Sequence, residues 1–379
     1  MGGIMRYEGR RERLYQWMAG EGIGLVMFEH TEVRQDPSIR WMTGHPGEGL
    51  LFLGFDPRGG SHALLVPWDS NLAMIWANAD AIIPYTEFER QPLKAVQGAV
   101  AYFKTPFGSK IEIPSVTPYP LFLHYVEALL DFDVLCRKGG IQQEVMALRS
   151  IKDPEEIQIY RTLAAITNDL IDLLEQDIRS GTLGTEGEVV RFIEMECRKR
   201  GCEGTGFETL AAGPERSFGI HPFPAYTTGE FATAGLSILD FGLKYAGYTS
   251  DVTLTFVRPP LSRAQEKLLT LTERAYRLAL AMVAEGIATK TIAGAVDAFF
   301  GNAKKTMPHA LGHGIGLEAH ESPALRNHAD NGWVLQPGMI FTLEPGLYDP
   351  VQGGCRLEND ILLTGSGVEV LTNARIIRL

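Results

Sequence analysis

Two acidic pairs in the C-terminal half of the chain each flank a turn-like stretch, and this spacing constrains the fold. Asp240 and Asp251 lie at equal distances from the centre of residues 244–247, and Glu344 and Glu358 flank a second such stretch. If each stretch closes a β-hairpin, the two acids of a pair lie directly across antiparallel strands, with Cβ atoms about 5 Å apart. The sequence therefore predicts two hairpins that each carry two carboxylates on one face.

A histidine between the two pairs completes a candidate metal site. Gly312, Gly314 and Gly316 surround His313, and their lack of side chains leaves room for the close approach of a ligand or a metal ion. Four carboxylates that met there without a counter-charge would repel one another and raise their own pKa values. Two divalent cations would cancel the four charges. The predicted metal ligands are Asp240, Asp251, His313, Glu344 and Glu358.

The predicted ligands are mostly oxygen donors, which limits the metal ions that can bind and the reactions that they can support. Mn²⁺, Co²⁺, Zn²⁺ or Fe²⁺ suit such a set, whereas a closed structural zinc site does not. Carboxylates can bridge two ions roughly 3.5 Å apart, with a hydroxide between them. That arrangement generates a nucleophile at neutral pH and polarises a carbonyl group. Hydrolysis of an amide or related bond is the predicted reaction.

The length of 379 residues indicates two domains. Short apolar runs at residues 24–28, 50–53 and 63–66 are bounded by Gly, Pro or Asp, which predicts buried strands that alternate with helices. We expect an α/β domain over residues 1–140 and a second domain over residues 150–379.

Helix signals divide the second domain into alternating helical and β segments. Asp153, Pro154 and Glu156 form a predicted N-cap, first helical residue and capping box, and Gly181 follows the predicted end of this helix. Three further helices are predicted from residue 185 to about 201, from 262 to about 286, and over 291–303. The order of helices, strands, helices and strands suggests two similar α+β halves, although no sequence repeat supports that symmetry.

Composition excludes several classes of partner. The net charge is -11, and no basic run with interleaved aromatic residues is present, so we expect no nucleic-acid surface. No apolar run approaches about 18 residues, so no membrane span is expected. The N-terminus lacks the apolar segment of a signal peptide. Four scattered cysteines indicate free thiols in a reducing compartment, and the predicted location is cytoplasmic.

The acids and histidines lie in stretches that resemble the pita-bread family of creatinase, aminopeptidase P, prolidase and methionine aminopeptidase. The resemblance covers residues 150–379 well and the N-terminal part more weakly, chiefly through residues 40–44. It implies an α+β protein with a C-terminal pita-bread fold of pseudo-symmetric halves after a smaller, creatinase-type α/β domain. The matching stretches are 240–242, 247–253, 309–317, 320–323, 342–348 and 356–360.

The resemblance also implies a role for each site residue. The five predicted ligands would bind two metal ions, with Mn²⁺ favoured. His221 and His320 would contact the scissile carbonyl or the tetrahedral intermediate, and Glu344 would help to activate water and pass on its proton. His309 and Arg356 would orient neighbouring groups or shuttle protons. A homodimer is implied by resemblance alone.

The N-terminal domain favours prolidases and aminopeptidases P over methionine aminopeptidases, which lack a domain of this size. The implied substrate is therefore a proline-containing peptide, whose Xaa-Pro bond is a tertiary amide without an N–H. Three positions depart from the family pattern on what we expect to be the substrate side: Arg216, Leu254 and Ala324. Many prolidases have an arginine at the position of Ala324 that binds the dipeptide carboxylate, and here the nearest is Arg326.

Several functions therefore stay open at this point. The favoured function is a dimetal Xaa-Pro aminopeptidase or Xaa-Pro dipeptidase, in which a metal-bridging hydroxide attacks the bond. The three departures leave room for a hydrolase or lyase of a small non-peptide substrate on the same scaffold. A non-catalytic binding protein is the third alternative, and the presence of all five predicted ligands counts against it.

Overall fold

The computed structural model describes residues 7–379. Residues 1–6, which begin the stretch used for the signal-peptide prediction, lie outside the described part. The chain divides into two compact units between Leu148 and Arg149. Among the described residues, no helix combines the length and apolar character needed to cross a membrane.

The first unit contains a six-stranded sheet with the strand order β4-β3-β2-β1-β5-β6. Its core includes Leu25, Met27, Phe52, Leu64 and Phe103, which are at most 2% exposed. The elements are α1 (Tyr7–Glu21), β1 (Ile23–His30), α2 (Ser38–Thr43), β2 (Gly49–Phe55), β3 (Ser61–Pro67), α3 (Ser70–Trp76), β4 (Ala81–Ile82), a 3-10 helix (Tyr85–Phe88), α4 (Pro92–Phe103), β5 (Lys110–Glu112), α5 (Tyr119–Ala128), β6 (Asp133–Leu135) and α6 (Ile141–Ser150).

The predicted alternation of strands and helices is wrong in one part of this sheet. Strands β2 and β3 follow one another without a helix and pair in an antiparallel manner, with Phe55 opposite Ser61. The Asp56 side chain accepts hydrogen bonds from the backbone N–H groups of Arg58 and Gly60, which closes the connection as a tight turn. The sheet is therefore mixed, with parallel pairing of β1 with β5 and of β5 with β6.

Four long helices of the second unit begin and end close to the predicted residues. The first has the predicted capping box between Asp153 and Glu156, and Gly181 adopts a left-handed conformation at its end, with φ of 79°. The side chains of Thr185 and Ser262 cap the next two helices in the same way. The helices are α7 (Pro154–Ser180), α8 (Glu186–Lys199), α9 (Arg263–Met282) and α10 (Thr289–Asn302).

The strands of the second unit follow these helices in two groups, one after α8 and one after α10. Two of its sheets have the orders β20-β12-β9-β8 and β14-β13-β15-β18-β19. The strands are β7 (Gly204–Thr205), β8 (Leu210–Ala212), β9 (Gly235–Phe241), β10 (Leu243–Tyr245), β11 (Tyr248–Thr249), β12 (Val252–Arg258), β13 (Gly312–Gly314), β14 (Glu321–Leu325), β15 (Ile340–Leu343), β16 (Gly346–Asp349), β17 (Gly353–Arg356), β18 (Asn359–Thr364), β19 (Gly367–Val370) and β20 (Ile376–Arg378).

The predicted register of the first acid pair is wrong by two residues. Asp240 lies opposite Thr253 in the antiparallel pairing of β9 and β12, and not opposite Asp251. The hairpin turns at Ala246 and Gly247, whose φ angles of 50° and 88° suit a two-residue connection. Because side chains alternate between faces, a slip of two residues keeps Asp251 on the face of Asp240, as a diagonal neighbour.

The predicted register of the second acid pair agrees with the structure. Leu343 lies opposite Asn359, and Gly346 lies opposite Arg356. This shared register places Glu344 across from Glu358 in the gap between the two ladders. The Asp349 side chain accepts hydrogen bonds from backbone N–H groups in the turn, which fixes the end of the hairpin.

Candidate metal centre

The five predicted ligands lie at the ends or centres of strands that meet in the second unit. One ligand atom each of Asp251, His313 and Glu358 lie within 4.8 Å of one another. The Nε2 atom of His313 is 3.7 Å from Asp251 Oδ2 and 3.6 Å from Glu344 Oε1. Four of the five side chains therefore surround one point.

Asp240, the fifth residue, is connected to this group through Arg356. The Arg356 guanidinium donates a hydrogen bond of 2.6 Å to Asp240 Oδ2 and another of 2.9 Å to the hydroxyl of Thr253. That hydroxyl in turn donates to Glu358 Oε2 at 2.7 Å. Thr253 and Glu358 also form a backbone bridge, which joins the first acid pair to the second.

Burial and mutual repulsion disfavour the charged form of the carboxylates. Burial is the main cause that raises the pKa of Glu358 to about 7, and the neighbouring charge of Asp240 adds to it. Burial followed by the charge of Glu358 raises the pKa values of Asp251 and Glu344 well above their usual range. A compensating positive charge is needed to keep all of these groups ionised.

Unpartnered oxygens indicate where that positive charge fits. Asp240 Oδ1 and Glu358 Oε1 are buried and accept no hydrogen bond within residues 7–379. A buried carboxylate oxygen without a donor is costly unless a cation binds it. Arg356 offsets one of the four negative charges, and divalent ions suit the remaining ones. The donor set therefore fits divalent metal.

The imidazole of His313 is oriented for coordination. Its Nδ1 lies 3.1 Å from the carbonyl oxygen of Gly314 and donates to it, which leaves the Nε2 lone pair directed at the carboxylates. Burial lowers the pKa of His313 to about 3, so the ring is neutral at physiological pH. A neutral imidazole held by a hydrogen bond on its other nitrogen is a common metal ligand.

The glycines around His313 have a different role from the one expected. A Cβ on Gly312 would overlap the carbonyl oxygen of Thr342, and one on Gly314 would overlap that of Ser322. A Cβ on Gly316 would overlap the carboxylate of Glu321. These glycines allow neighbouring backbone and side chains to pack closely, so the prediction that they clear space for a ligand is replaced by this packing role.

His309 and Arg356 contact each other through a tyrosine that was not predicted as a site residue. The Tyr348 hydroxyl accepts a hydrogen bond of 2.8 Å from Arg356 and donates one of 3.0 Å to His309 Nε2. His309 Nδ1 is 3.8 Å from Glu344 Oε2. Burial lowers the pKa of His309 to about 4, so the ring is neutral. These contacts form a hydrogen-bonded path that ends beside Glu344.

The two predicted substrate-binding histidines lie beside this group. The rings of His320 and His313 are 4.2 Å apart. His221 is exposed on the connection between β8 and β9, and the carbonyl oxygen of the preceding residue, Ile220, accepts a hydrogen bond of 3.1 Å from Arg356. Both histidines are solvent-accessible, as a residue that contacts substrate must be.

Sequence reasoning missed Thr253, Tyr348 and Asp360 as members of the site. Asp360 is buried, and its Oδ2 lies 3.3 Å from the backbone N–H of Asp251, which donates to it. Thr253 could have been found, because it lies two residues after Asp251 on the same face of a strand. Tyr348 has no comparable signal, since its partners are known only once the strands are assembled.

The three departures from the family pattern have different surroundings. Ala324 lies opposite His313 in the pairing of β13 and β14, so its side chain shares the face of the proposed ligand. Leu254 is fully buried opposite Leu239, which corrects the expectation that it lies on the substrate side. Arg216 forms an ion pair with Glu186. Arg326 is more than half exposed and lies near Asp330.

Comparisons with known proteins agree on one family. The sequence profile of metallopeptidase family M24 matches residues 158–365. An Xaa-Pro dipeptidase of Pyrococcus horikoshii is 28% identical over 95% of this chain and 96% of that protein. Alignments with uncharacterised or putative peptidases of Methanocaldococcus jannaschii, Bacillus subtilis and Staphylococcus haemolyticus span about two thirds of those proteins.

Solved structures are similar over almost the whole chain. An Xaa-Pro dipeptidase from Bacillus anthracis has a TM-score of 0.84 and 25% identity, covering 99% of this chain and 100% of that one. An X-Pro aminopeptidase from Thermotoga maritima has a TM-score of 0.82 and 25% identity, covering 97% and 99%. The two similarities are almost equal, so the overall fold does not separate the two kinds of peptidase.

Proposed function

This chain belongs to metallopeptidase family M24, and from that membership we propose that it hydrolyses the Xaa-Pro bond at the N-terminus of peptides. The predicted fold class, a pita-bread domain after a smaller α/β domain, is confirmed by the similarity to prolidase structures. The observation that carries the proposal is the cluster of Asp251, His313 and Glu358, whose ligand atoms lie within 4.8 Å of one another. Beside it, Asp240 and Glu358 each have one buried carboxylate oxygen without a hydrogen-bond partner within residues 7–379.

The proposed cofactor is a pair of divalent cations, with Mn²⁺ favoured, bound by the five ligands. Such ions lower the pKa of water and polarise a carbonyl group. Asp240, Asp251, His313, Glu344 and Glu358 would hold the ions. The raised pKa values of Asp251, Glu344 and Glu358 support this role, because a cation would favour the charged form of these carboxylates.

The remaining residues would manage protons and the developing negative charge. Glu344 would take up the proton of the attacking water, and the leaving proline nitrogen must then receive a proton. The His221 and His320 side chains would donate hydrogen bonds to the carbonyl oxygen as it becomes negative. His309, Tyr348 and Arg356 form a path of hydrogen bonds beside Glu344 and would orient the groups around it or shuttle protons.

We propose an aminopeptidase that accepts peptides longer than two residues. A strict dipeptidase needs a positive group for the free carboxylate of its substrate, and the residue across from His313 is Ala324. Arg326 is exposed and lies near Asp330, so it does not replace that group. A homodimer and a division into the two predicted domains are also proposed, the former on the family resemblance alone.

The alternative functions have less support than the peptidase proposal. Two of the three departures that motivated a non-peptide substrate, Arg216 and Leu254, contact protein: the first pairs with Glu186 and the second is buried. A binding protein without activity is disfavoured because all five ligands are present.

Substrate cleavage by the metal-loaded protein tests the proposal. Metal-stripped protein is reloaded with Mn²⁺, Co²⁺ or Zn²⁺ and given Xaa-Pro, Xaa-Pro-Yaa and Met-Ala peptides, and the products are read by mass spectrometry. We expect cleavage of Xaa-Pro-Yaa. Cleavage of Xaa-Pro alone would make the protein a dipeptidase despite Ala324, and cleavage of none with any metal would refute the peptidase proposal.

A further inference from the structure

The loop that carries His221 is closed by one buried carboxylate. Residues 213–234 connect β8 to β9. Glu186, which is 1% exposed, contacts this loop on either side of His221, at Gly213 and at Thr227. Its side chain accepts a hydrogen bond of 2.7 Å from the backbone N–H of Gly213. It also accepts bonds of 2.6 Å from the backbone N–H and from the hydroxyl of Thr227. Glu186 therefore holds the base of the loop at both sides.

Glu186 and Arg216 together form a clamp on this loop, because Arg216 extends the contacts of Glu186 from the base into the loop. One guanidinium nitrogen pairs with Glu186, and another donates to the carbonyl oxygen of Pro224. The planar guanidinium can donate to two acceptors in fixed directions, which a shorter amide side chain cannot do over the same span. Arg216 thus connects the buried carboxylate to the segment that follows His221.

The segment before His221 is anchored as well. The carbonyl oxygen of Ile220 accepts a hydrogen bond of 3.1 Å from Arg356, which also binds Asp240 in the metal centre. His221 therefore lies between two anchored backbone carbonyls, at Ile220 and Pro224, while its own ring is exposed. Its position relative to the metal ligands depends on these two anchors.

We propose that Arg216 and Glu186 are positioning residues that hold His221 against the substrate carbonyl. The inference rests on the proposed function, in which His221 donates to the carbonyl oxygen. It explains the departure at position 216, which sequence comparison placed on the substrate side. The guanidinium faces Glu186 and Pro224, so it acts on the reaction through the loop and does not touch the substrate.

A double-mutant cycle with His221 tests this role. Arg216→Met leaves Glu186 with its three other donors, so the variant should fold. We expect kcat for an Xaa-Pro-Yaa peptide to fall roughly 10- to 100-fold, because small displacements of a positioned group cost about that much. KM and metal content should change less than about twofold. In the His221→Ala background, Arg216→Met should have no further effect, since the two residues act as one unit.

Three further measurements make the test specific. Arg200→Met is the matched control, because Arg200 pairs with Glu196 at the other end of α8; it should leave kcat unchanged. Arg216→Lys keeps one charged donor and should recover part of kcat. Hydrogen exchange over residues 217–227 should speed up in Arg216→Met, whether or not the protein cuts peptides.

The outcomes separate this inference from the proposed function. An equal loss of kcat from Arg216→Met with and without His221 would overturn the positioning role, as would an unchanged kcat. Unaltered hydrogen exchange would overturn the clamp itself. Wild-type protein that cuts no peptide would instead refute the proposed function, and faster exchange in Arg216→Met would then support the clamp without its catalytic role.

Discussion

Placing an arginine at position 324 should shift the substrate preference toward free dipeptides. Ala324 lies directly across from His313, so the side chains share a face with Cβ atoms about 5 Å apart. A guanidinium there would reach the carboxylate of a bound Xaa-Pro dipeptide and could bind it with two parallel hydrogen bonds.

The size of the effect follows from the surroundings of this residue. Hydrogen bonds to charged groups contribute about 1.5–3 kcal/mol, and each 1.4 kcal/mol corresponds to roughly a tenfold change in an affinity. Ala324 is only partly buried, so solvent screens the new pair and the lower end applies. We expect Ala324→Arg to raise kcat/KM for Leu-Pro relative to Leu-Pro-amide by about tenfold.

The comparison of free acid and amide isolates the carboxylate. Ala324→Met is the control, because it adds a side chain of similar length without charge and should leave the ratio unchanged. Steady-state kinetics on both substrates with Mn²⁺-loaded protein give the ratio for each variant. The same ratio in Ala324→Arg and Ala324→Met would mean that position 324 does not face the end of the substrate, and the reasoning from register would be wrong.

Three other results are expected. Glu344→Ala should lose both metal loading and turnover, because the proposed ligand and the proposed proton acceptor are removed together; a fully metallated, active variant by elemental analysis would exclude Glu344 as a ligand. Chelation should lower the melting temperature, because a metal ion at 100 times its Kd stabilises the folded state by about 2.7 kcal/mol. Calorimetry that showed no shift would contradict binding of metal to the folded protein. Gly312→Ala should destabilise the fold by about 1–3 kcal/mol in chemical denaturation, because its Cβ would overlap the Thr342 carbonyl. Gly301→Ala, in helix α10 with no atom near the added Cβ, should be neutral or stabilising, and equal effects of the two would refute the packing argument.

The features that sequence predicted well are local. The capping box of Asp153 and Glu156 and the left-handed Gly181 involve residues a few positions apart, so the pattern of side chains is enough to place the helix. The second acid pair was also placed in the correct register, because the turn between its strands is centred where the symmetric spacing of Glu344 and Glu358 puts it.

The first acid pair shows how far symmetry of spacing can be used. The hairpin turns at Ala246 and Gly247, one residue later than the midpoint of Asp240 and Asp251, and the register slips by two. The slip preserves the face of each carboxylate, since side chains on a strand repeat every two residues. A one-residue slip would have turned Asp251 away from Asp240, so the site was predictable although the pairing was not.

The contacts between the two hairpins could not be predicted from the spacing of residues along the chain. These contacts fix how the two acid pairs are arranged. Thr253 in one hairpin bonds to Glu358 in the other, across 105 residues of sequence. Arg356 binds Thr253 and Asp240 at once, so it holds the two acid pairs in one arrangement. A threonine in an alternating strand and an arginine two residues before a glutamate have ordinary roles in most proteins. Only assembly of the strands makes Arg356 the common contact of Asp240, Tyr348 and the loop of His221, which connects the proposed metal ligands to the proposed substrate contact.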